Sequence, residues 1–571
     1  MTTAPAQPGQ FRLLIRHLLG RFFNNEMISI GGEALPLIMT VAGVIAVPTL
    51  MVSVALFPAY HAFPPKPPIP DFWTQAGEHY FFTMYSFVAM GAVTVFEADL
   101  LFPNSLDIFI LSPLPIPDRR LVVARVSAVL IFLALFLLGA NSFGIVAYPM
   151  ATELDVPRMI VAHLASVAAA GTFASALFVA LQGLLICTLG GRMYRAASTI
   201  LQGVSVALLM TVLFFFLTLS RSLQPLILSG GPAVRSFPSF WFLGIYECIL
   251  AGPARLAAFA HLARTGCWAT SLAVLVATAT YPLAYRRRTR QAIEGPSSRQ
   301  TADPLGRPLA SVLHATVLRT PARRAVYHFI GQTLRTPRHR VYLAIYAGLG
   351  MAMMTACAAV LRVEAGQISV AFSAYGLRLA VPGLAFWTIA GLCTALDSPA
   401  DPRGGWIFRV IDGKPTLEQL DAVRIWVTVG GLAVTWIAVA LLHCVSPPPL
   451  QALKPTLAQL LAGTGLCVLS ADAFLLTSAA IPFTETRIPP NTGLAFVLLR
   501  YIVAFPAVVL LTVRCEPWME TGARHLLTMA LLLAAAHAAL CLVHRRILLA
   551  RMGRPEVDEA NGLIQSLGLH S

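Results

Sequence analysis

Charge is scarce in this 571-residue chain. Asp, Glu, Lys and Arg together make up 12 % of it, against about 25 % in an ordinary soluble domain. A water-facing exterior is therefore excluded. Lysine is nearly missing: only Lys66, Lys414 and Lys454 stand among the 41 basic residues. No basic stripe interleaved with aromatics is present, so the net charge of +15 does not mark a nucleic-acid reader. The nine cysteines are dispersed and form no CxxC. Cys187, Cys357 and Cys467 sit in apolar runs, where a thiol packs as a small hydrophobe, so neither a disulfide framework nor a metal site is expected. HExxH, GxSxG and GxxxxGK[ST] are absent as well, which removes common hydrolase signatures and a phosphate-cradling loop. Arg12, Arg16 and Arg21 interrupt any signal-peptide core near the start.

What is present is hydrocarbon, at 57 % of residues. Apolar runs of about twenty residues recur, each long enough to cross a bilayer. They are expected at about 34–57, 80–98, 121–147, 159–189, 198–219 and 265–285, then at 342–361, 372–395, 425–444, 456–481, 492–512 and 524–544. The fold expected is an all-α polytopic membrane protein of about twelve transmembrane helices. Residues 1–290 form a first six-span unit and 291–320 a polar cytoplasmic linker; 321–571 form a second six-span unit with a tail. Six is an even number, so the two units read as repeats of the same orientation.

Placing both termini in the cytoplasm puts 29 basic residues in or at the edge of inner segments, 11 on the outer side and Arg500 within a span. The positive-inside rule therefore favours that orientation, and the arginine-rich composition suits a bacterial inner membrane. Ahead of each unit lies an amphipathic helix suited to the membrane interface. The first has Phe11, Leu14, Ile15, Leu18 and Phe22 on one face and Arg12, Arg16 and His17 on the other. The second has Val326, Phe329, Ile330 and Leu334 flanked by Arg323, Arg324 and Arg335. Residues 58–79 read as a stiff outer loop. Phe240, Trp241 and Tyr246 suit a helix at headgroup level or a re-entrant segment.

The inner loop of the first unit runs from Glu97 and Asp99 through Pro103 and Asp107 to Leu114-Pro115-Ile-Pro117, then Arg119, Arg120 and Arg125. A short amphipathic helix, a proline strap and a basic span start make a stiff element able to pass a push to the spans. This Leu-Pro-x-Pro and arginine pattern resembles the coupling region of ABC-2 type exporter permeases. The elbow helices, the six-span unit and the re-entrant segment before the last span match that family too. The second unit departs from it, because Ser398 to Arg409 lacks the strap. The resemblance implies a permease of two fused units docking separate ATP-binding cassette ATPase subunits, with partner-docking residues Asp107, Arg119 and Arg120, then Asp401, Arg403 and Arg409. It implies no catalytic residue and no cofactor in this chain. Leu228-Ser229-Gly230-Gly231 imitates an ATPase signature, but Pro232 follows it in an outer segment, and it reads as coincidence.

Ionisable groups inside spans cost roughly 2.5–3.5 kcal/mol each on insertion scales and usually face protein. Asp472 and Arg500 are expected to meet across two spans or to be satisfied locally, and Asn141 to hydrogen-bond between helices. His163, His443 and His537 lie apart in the sequence and read as packing residues. Glu97 and Asp99 read as capping charges, with a cation site as the rarer use. The expected function is the membrane subunit of an ATP-driven exporter of unidentified substrate. The alternatives are an ion-gradient transporter of six-plus-six layout, though its Gly-x-x-x-Asp-Arg loop signature is absent, and a scaffold that moves nothing.

Overall fold

The computed structural model describes residues 9–23, 34–61, 71–103, 105–111, 113–152, 155–251, 257–293, 315–364, 366–397, 415–445, 448–476, 481–484, 503 and 505–552. Contacts divide the chain into two units. One is Met1–Ser298 with Leu361–Ser369, and the other is Arg299–Val360 with Val370–Ser571.

The first unit opens with α1 (Gln10–Phe23), α2 (Ala34–His61) and α3 (Phe72–Phe96), then the short α4 (Ala98–Leu101) and α5 (Ser105–Leu111). The long α6 (Asp118–Thr152), α7 (Val156–Thr188) and α8 (Gly191–Phe214) follow. Next come α9 (Phe216–Arg221), α10 (Leu223–Ser229), α11 (Pro232–Ser236), α12 (Pro238–Ala251) and finally α13 (Ala257–Ile293). Local chemistry sets several ends. Asp71 caps α3 by accepting from the Trp73 amide at 3.2 Å and from the Thr74 hydroxyl. Gly230, at φ +58°, closes α10 in the left-handed conformation that favours glycine. Leu14, Leu18 and Phe22 of α1 are buried, and Phe22 stacks on Phe132 of α6 at 4.7 Å. Arg12, Arg16 and His17 stay exposed on the opposite face.

The second unit holds α14 (Pro321–Thr333), α15 (Pro337–Ala358), α16 (Ala374–Asp397), α17 (Leu417–Val445), α18 (Leu453–Phe474), α19 (Phe505–Glu520) and α20 (Ala523–Met552). Thr320 caps α14 by accepting from the Arg323 amide. Val326, Ile330 and Leu334 are buried with Ala422, Val423 and Val427 of α17, and Arg323 pairs with Asp421 at 2.8 Å. Between α15 and α16 the chain forms two paired strands, β1 (Ala359–Glu364) and β2 (Gln367–Phe372). The span expected at 342–361 therefore ends three residues early, at Ala358. Val360 and Val363, Ile368 and Val370, with Gly366 at φ +75° between the two pairs, favour a hairpin.

Among the described residues, ten helices are long and apolar enough to cross a membrane: α3, α6, α7, α8, α13, α15, α16, α17, α18 and α20. The chain is an all-α polytopic membrane protein in its architecture. Of the other two expected spans, α2 carries a shorter described apolar run, Gly43–Pro58. The span at 492–512 lies mostly outside the described residues. The structure starts α3 at Phe72 rather than near 80. Its first turns carry Gln75, Glu78 and His79, and burial of Glu78 and His79 inside the unit lets polar residues continue an apolar helix.

Candidate functional site

Three clusters of polar chemistry stand out. The first fixes the loop between α3 and α6. Arg125, in the second turn of α6, is only 4 % exposed. Its Nη1 donates to Asp107 Oδ2 at 3.0 Å, and its Nη2 donates to the carbonyls of Leu100 and Phe102, the latter at 3.1 Å. The guanidinium also lies over the Phe22 ring at 5.8 Å. From α13, Tyr281 donates to the Leu101 carbonyl at 2.7 Å and stacks on Phe102 at 5.0 Å. The loop is thus bolted to α1, α6 and α13 through one cation and one phenol. Phe109, Ile110 and Leu114 face outward, as do Arg119 and Arg120.

This places the expected docking residues unequally. Arg119 and Arg120 are exposed, the latter within 3.5 Å of Gln10. Asp107 is 5 % exposed and turned onto Arg125. Asp401, Arg403 and Arg409 lie outside the described residues, as does the Asp99 side chain. Glu97 ends α3, its amide donating to the Val93 carbonyl at 3.1 Å.

The second cluster is buried where α3 and α7 begin and α6 ends. Tyr60 and Tyr148 both donate to Glu78 Oε2, at 2.8 and 2.7 Å. His79 Nδ1 meets Glu247 Oε1 of α12 at 2.6 Å, and its ring stacks on Tyr246 at 4.1 Å. Tyr246 reaches His163 Nδ1 at 3.4 Å, and Tyr80 meets Ser239 at 3.0 Å. The Nε2 atoms of His79 and His163 have no hydrogen-bond partner. Phe240 and Tyr246, expected on a helix at headgroup level or in a re-entrant segment, lie inside the unit, where Tyr80 and His79 offer them stacking partners. Glu78, His79 and Glu247 escaped the sequence reading. Their signal was a carboxylate inside the apolar run Pro238–Ala251 and an adjacent Glu-His pair at a span start.

The third cluster joins α17, α18 and α20. Asp472 is 1 % exposed; it meets His537 Nδ1 at 2.6 Å and Arg424 Nε at 3.3 Å. Arg424 Nη1 also lies 2.9 Å from Cys541 Sγ. His537, read as a packing residue, is brought onto a carboxylate. His443 lies 3.3 Å from Thr456 Oγ1. Arg500, the expected partner of Asp472, is outside the described residues. Ligand atoms of Asp472, His537 and Cys541 lie within 4.8 Å of one another, a spacing a metal ion could use. The Arg424 guanidinium already supplies a cation to two of these three groups, and a divalent ion would have to displace it. Asn141 of α6 donates to Ser86 of α3 at 3.1 Å and to the Leu137 carbonyl at 2.9 Å, a bond between helices as expected.

Comparisons with protein-family models, curated proteins and solved structures find no match for this chain.

Proposed function

We propose that this chain is the membrane-spanning subunit of an ATP-driven exporter, built as two six-helix units with both termini in the cytoplasm. The Arg125 clamp carries the reading. A loop meant only to connect α3 and α6 has no need of a buried guanidinium holding a carboxylate and two carbonyls. Such a clamp makes residues 98–117 a stiff platform, with outward Phe109, Ile110 and Leu114 beside exposed Arg119 and Arg120. A push on that platform would travel into α6 and α13 rather than be lost in loop motion. A separate ATPase would deliver it, and alternation between two packings of the units would move the substrate.

The repeat is supported by a shared arrangement. In each unit a short amphipathic helix packs on the third long helix that follows it: α1 on α6, and α14 on α17. A second reading, an ion-gradient transporter of six-plus-six layout, is favoured by the buried Glu78, His79 and Glu247 network, since intramembrane ionisable groups often relay ions.

Affinity purification from native membranes in mild detergent separates the two. A stoichiometric companion with ATPase activity is the expected outcome. In R119E/R120E the companion should be lost or its ATP hydrolysis uncoupled from transport. A chain that purifies folded and alone, with ion-driven flux, would replace this reading with the second.

A further inference from the structure

The second unit contains an apolar cavity of about 200 Å³ between α15, α16 and α19. Met353 and Cys357, Leu379 and Gly383, and Phe505 and Val509 line it, and none of its lining residues carries a charge or hydroxyl. Methionines lend such a wall the adaptability to accept differing apolar shapes. The volume is below the ~300 Å³ of the smallest drug-sized sites, so the ligand it suits is small.

A carboxyl group lies beyond one end, outside the residues that line the cavity. Val509, Val513 and Glu516 share the buried face of α19, and seven residues of helix put Glu516 about 10 Å along the axis from Val509. Helical side chains lean toward the helix N-terminus, which for Glu516 is the cavity side. Glu516 is 0 % exposed, and neither of its carboxylate oxygens has a hydrogen-bond partner. One turn further on, Glu520 is paired with Arg378 at 2.6 and 3.0 Å, and the charge of that one guanidinium also acts on Glu516. Arg378 begins the stretch of α16 whose next residue, Leu379, lines the cavity. Two carboxylates thus face one fixed cation. A buried carboxylate without an ion pair of its own is costly, so Glu516 takes either a proton or a second positive charge.

We propose that this cavity and Glu516 form a binding site for a small monovalent organic cation, its apolar body between α15, α16 and α19 and its charged nitrogen at Glu516. A bare proton is the competing occupant of the carboxylate, and equal binding of the charged and neutral compounds below would identify it. Binding does not depend on the exporter reading; only the step from ligand to transported substrate rests on it.

The test uses the full chain in lipid nanodiscs. Calorimetry compares benzyltrimethylammonium, whose charge is permanent, with neopentylbenzene, its neutral isostere. The intact chain should prefer the cation by at least about tenfold, equivalent to about 1.4 kcal/mol. Glu516→Gln should remove that preference while leaving neopentylbenzene affinity unchanged, which also shows that the cavity is still folded. Equal binding of the two compounds by the intact chain would overturn the proposal. So would a preference that survives in E516Q, or binding of neither. If the site holds, stimulation by benzyltrimethylammonium of a co-purifying ATPase tests the exporter reading separately.

Discussion

Removing the Arg125 guanidinium is the sharpest test of the platform between α3 and α6. Arg125→Ala deletes a buried ion pair at 3.0 Å, two donations to backbone carbonyls and the contact over Phe22. Breaking a buried pair by removing one partner costs about 3–5 kcal/mol. Each carbonyl left without its donor adds ~1–3 kcal/mol where water cannot replace it. These terms overlap, and entering water offsets part of them, so about 3–5 kcal/mol for the whole clamp is the working figure. If the loss falls on the platform, its opening equilibrium rises roughly a hundred- to several-thousandfold. Hydrogen exchange of the full chain, read peptide by peptide, measures this. Amides of residues 98–111 should lose protection by that factor, while α16 and α18 in the second unit keep theirs. Unchanged exchange across 98–111 in R125A would refute the idea that the guanidinium holds the platform. Uniform loss across both units would show a global fold contribution instead. The Tyr281→Phe variant, which removes only the donation to the Leu101 carbonyl, should give the same pattern at a smaller scale, about 1 kcal/mol.

Other outcomes follow from the same geometry. R119E/R120E alters only exposed side chains, so thermal stability should shift by less than about 0.5 kcal/mol while the ATPase companion is lost or its hydrolysis no longer drives transport. Tyr148→Phe leaves Glu78 one of its two tyrosine donors and should destabilise by about 1–3 kcal/mol in thermal unfolding; no shift would mean that Glu78 is held mainly by other groups. Asp472→Asn should cost about 3–5 kcal/mol by stranding Arg424, and the apolar pair D472L/R424M should recover most of it, as measured by urea midpoints. Gly376→Ala drives a methyl into the Cys357 carbonyl oxygen, so the backbone must shift, and a loss of about 1–3 kcal/mol is expected. A stable Gly376→Ala protein would show that the α15–α16 approach can relax.

The membrane architecture was legible because long apolar runs leave few alternatives, and nine of the ten long helices fall close to the expected spans. The tenth, α3, was legible only in part. Its first two turns read as loop because Gln75, Glu78 and His79 look soluble, and nothing local indicates that Tyr60, Tyr148 and Glu247 will meet them. The amphipathic helices α1 and α14 were readable from the spacing of Leu14, Leu18 and Phe22 and of Val326 and Ile330. What they pack against was not, since the partner faces lie about 100 residues away in α6 and α17. Asp107 looked like a surface charge in a surface loop. Its burial depends on Arg125, 18 residues later, and a sequence window shows both without their pairing. The hairpin between α15 and α16 was missed because β1 opens on Ala359-Val360-Leu361, which continues the apolar run of α15 and reads as the tail of a span.

The helix α12 has only fourteen residues, about 21 Å of helix, too short to cross a hydrocarbon core of about 30 Å. It carries Glu247, and the group that satisfies Glu247 is His79, made 168 residues earlier. This sets an order on biogenesis. Helix α3 leaves the ribosome as the second long segment, with Glu78, His79 and Ser86 along it, whose partners Tyr148, Glu247 and the Val167 carbonyl come later in the chain, and lipid offers those groups nothing. Its sheath is finished only when α6, α7 and finally α12 have been synthesised. For most of the first unit's translation, then, a polar helix waits in or beside the bilayer. The chain depends on being held through that interval, so cleavage or translational pausing before residue 238 should leave the first unit as a target for membrane proteolysis rather than as a stable fragment.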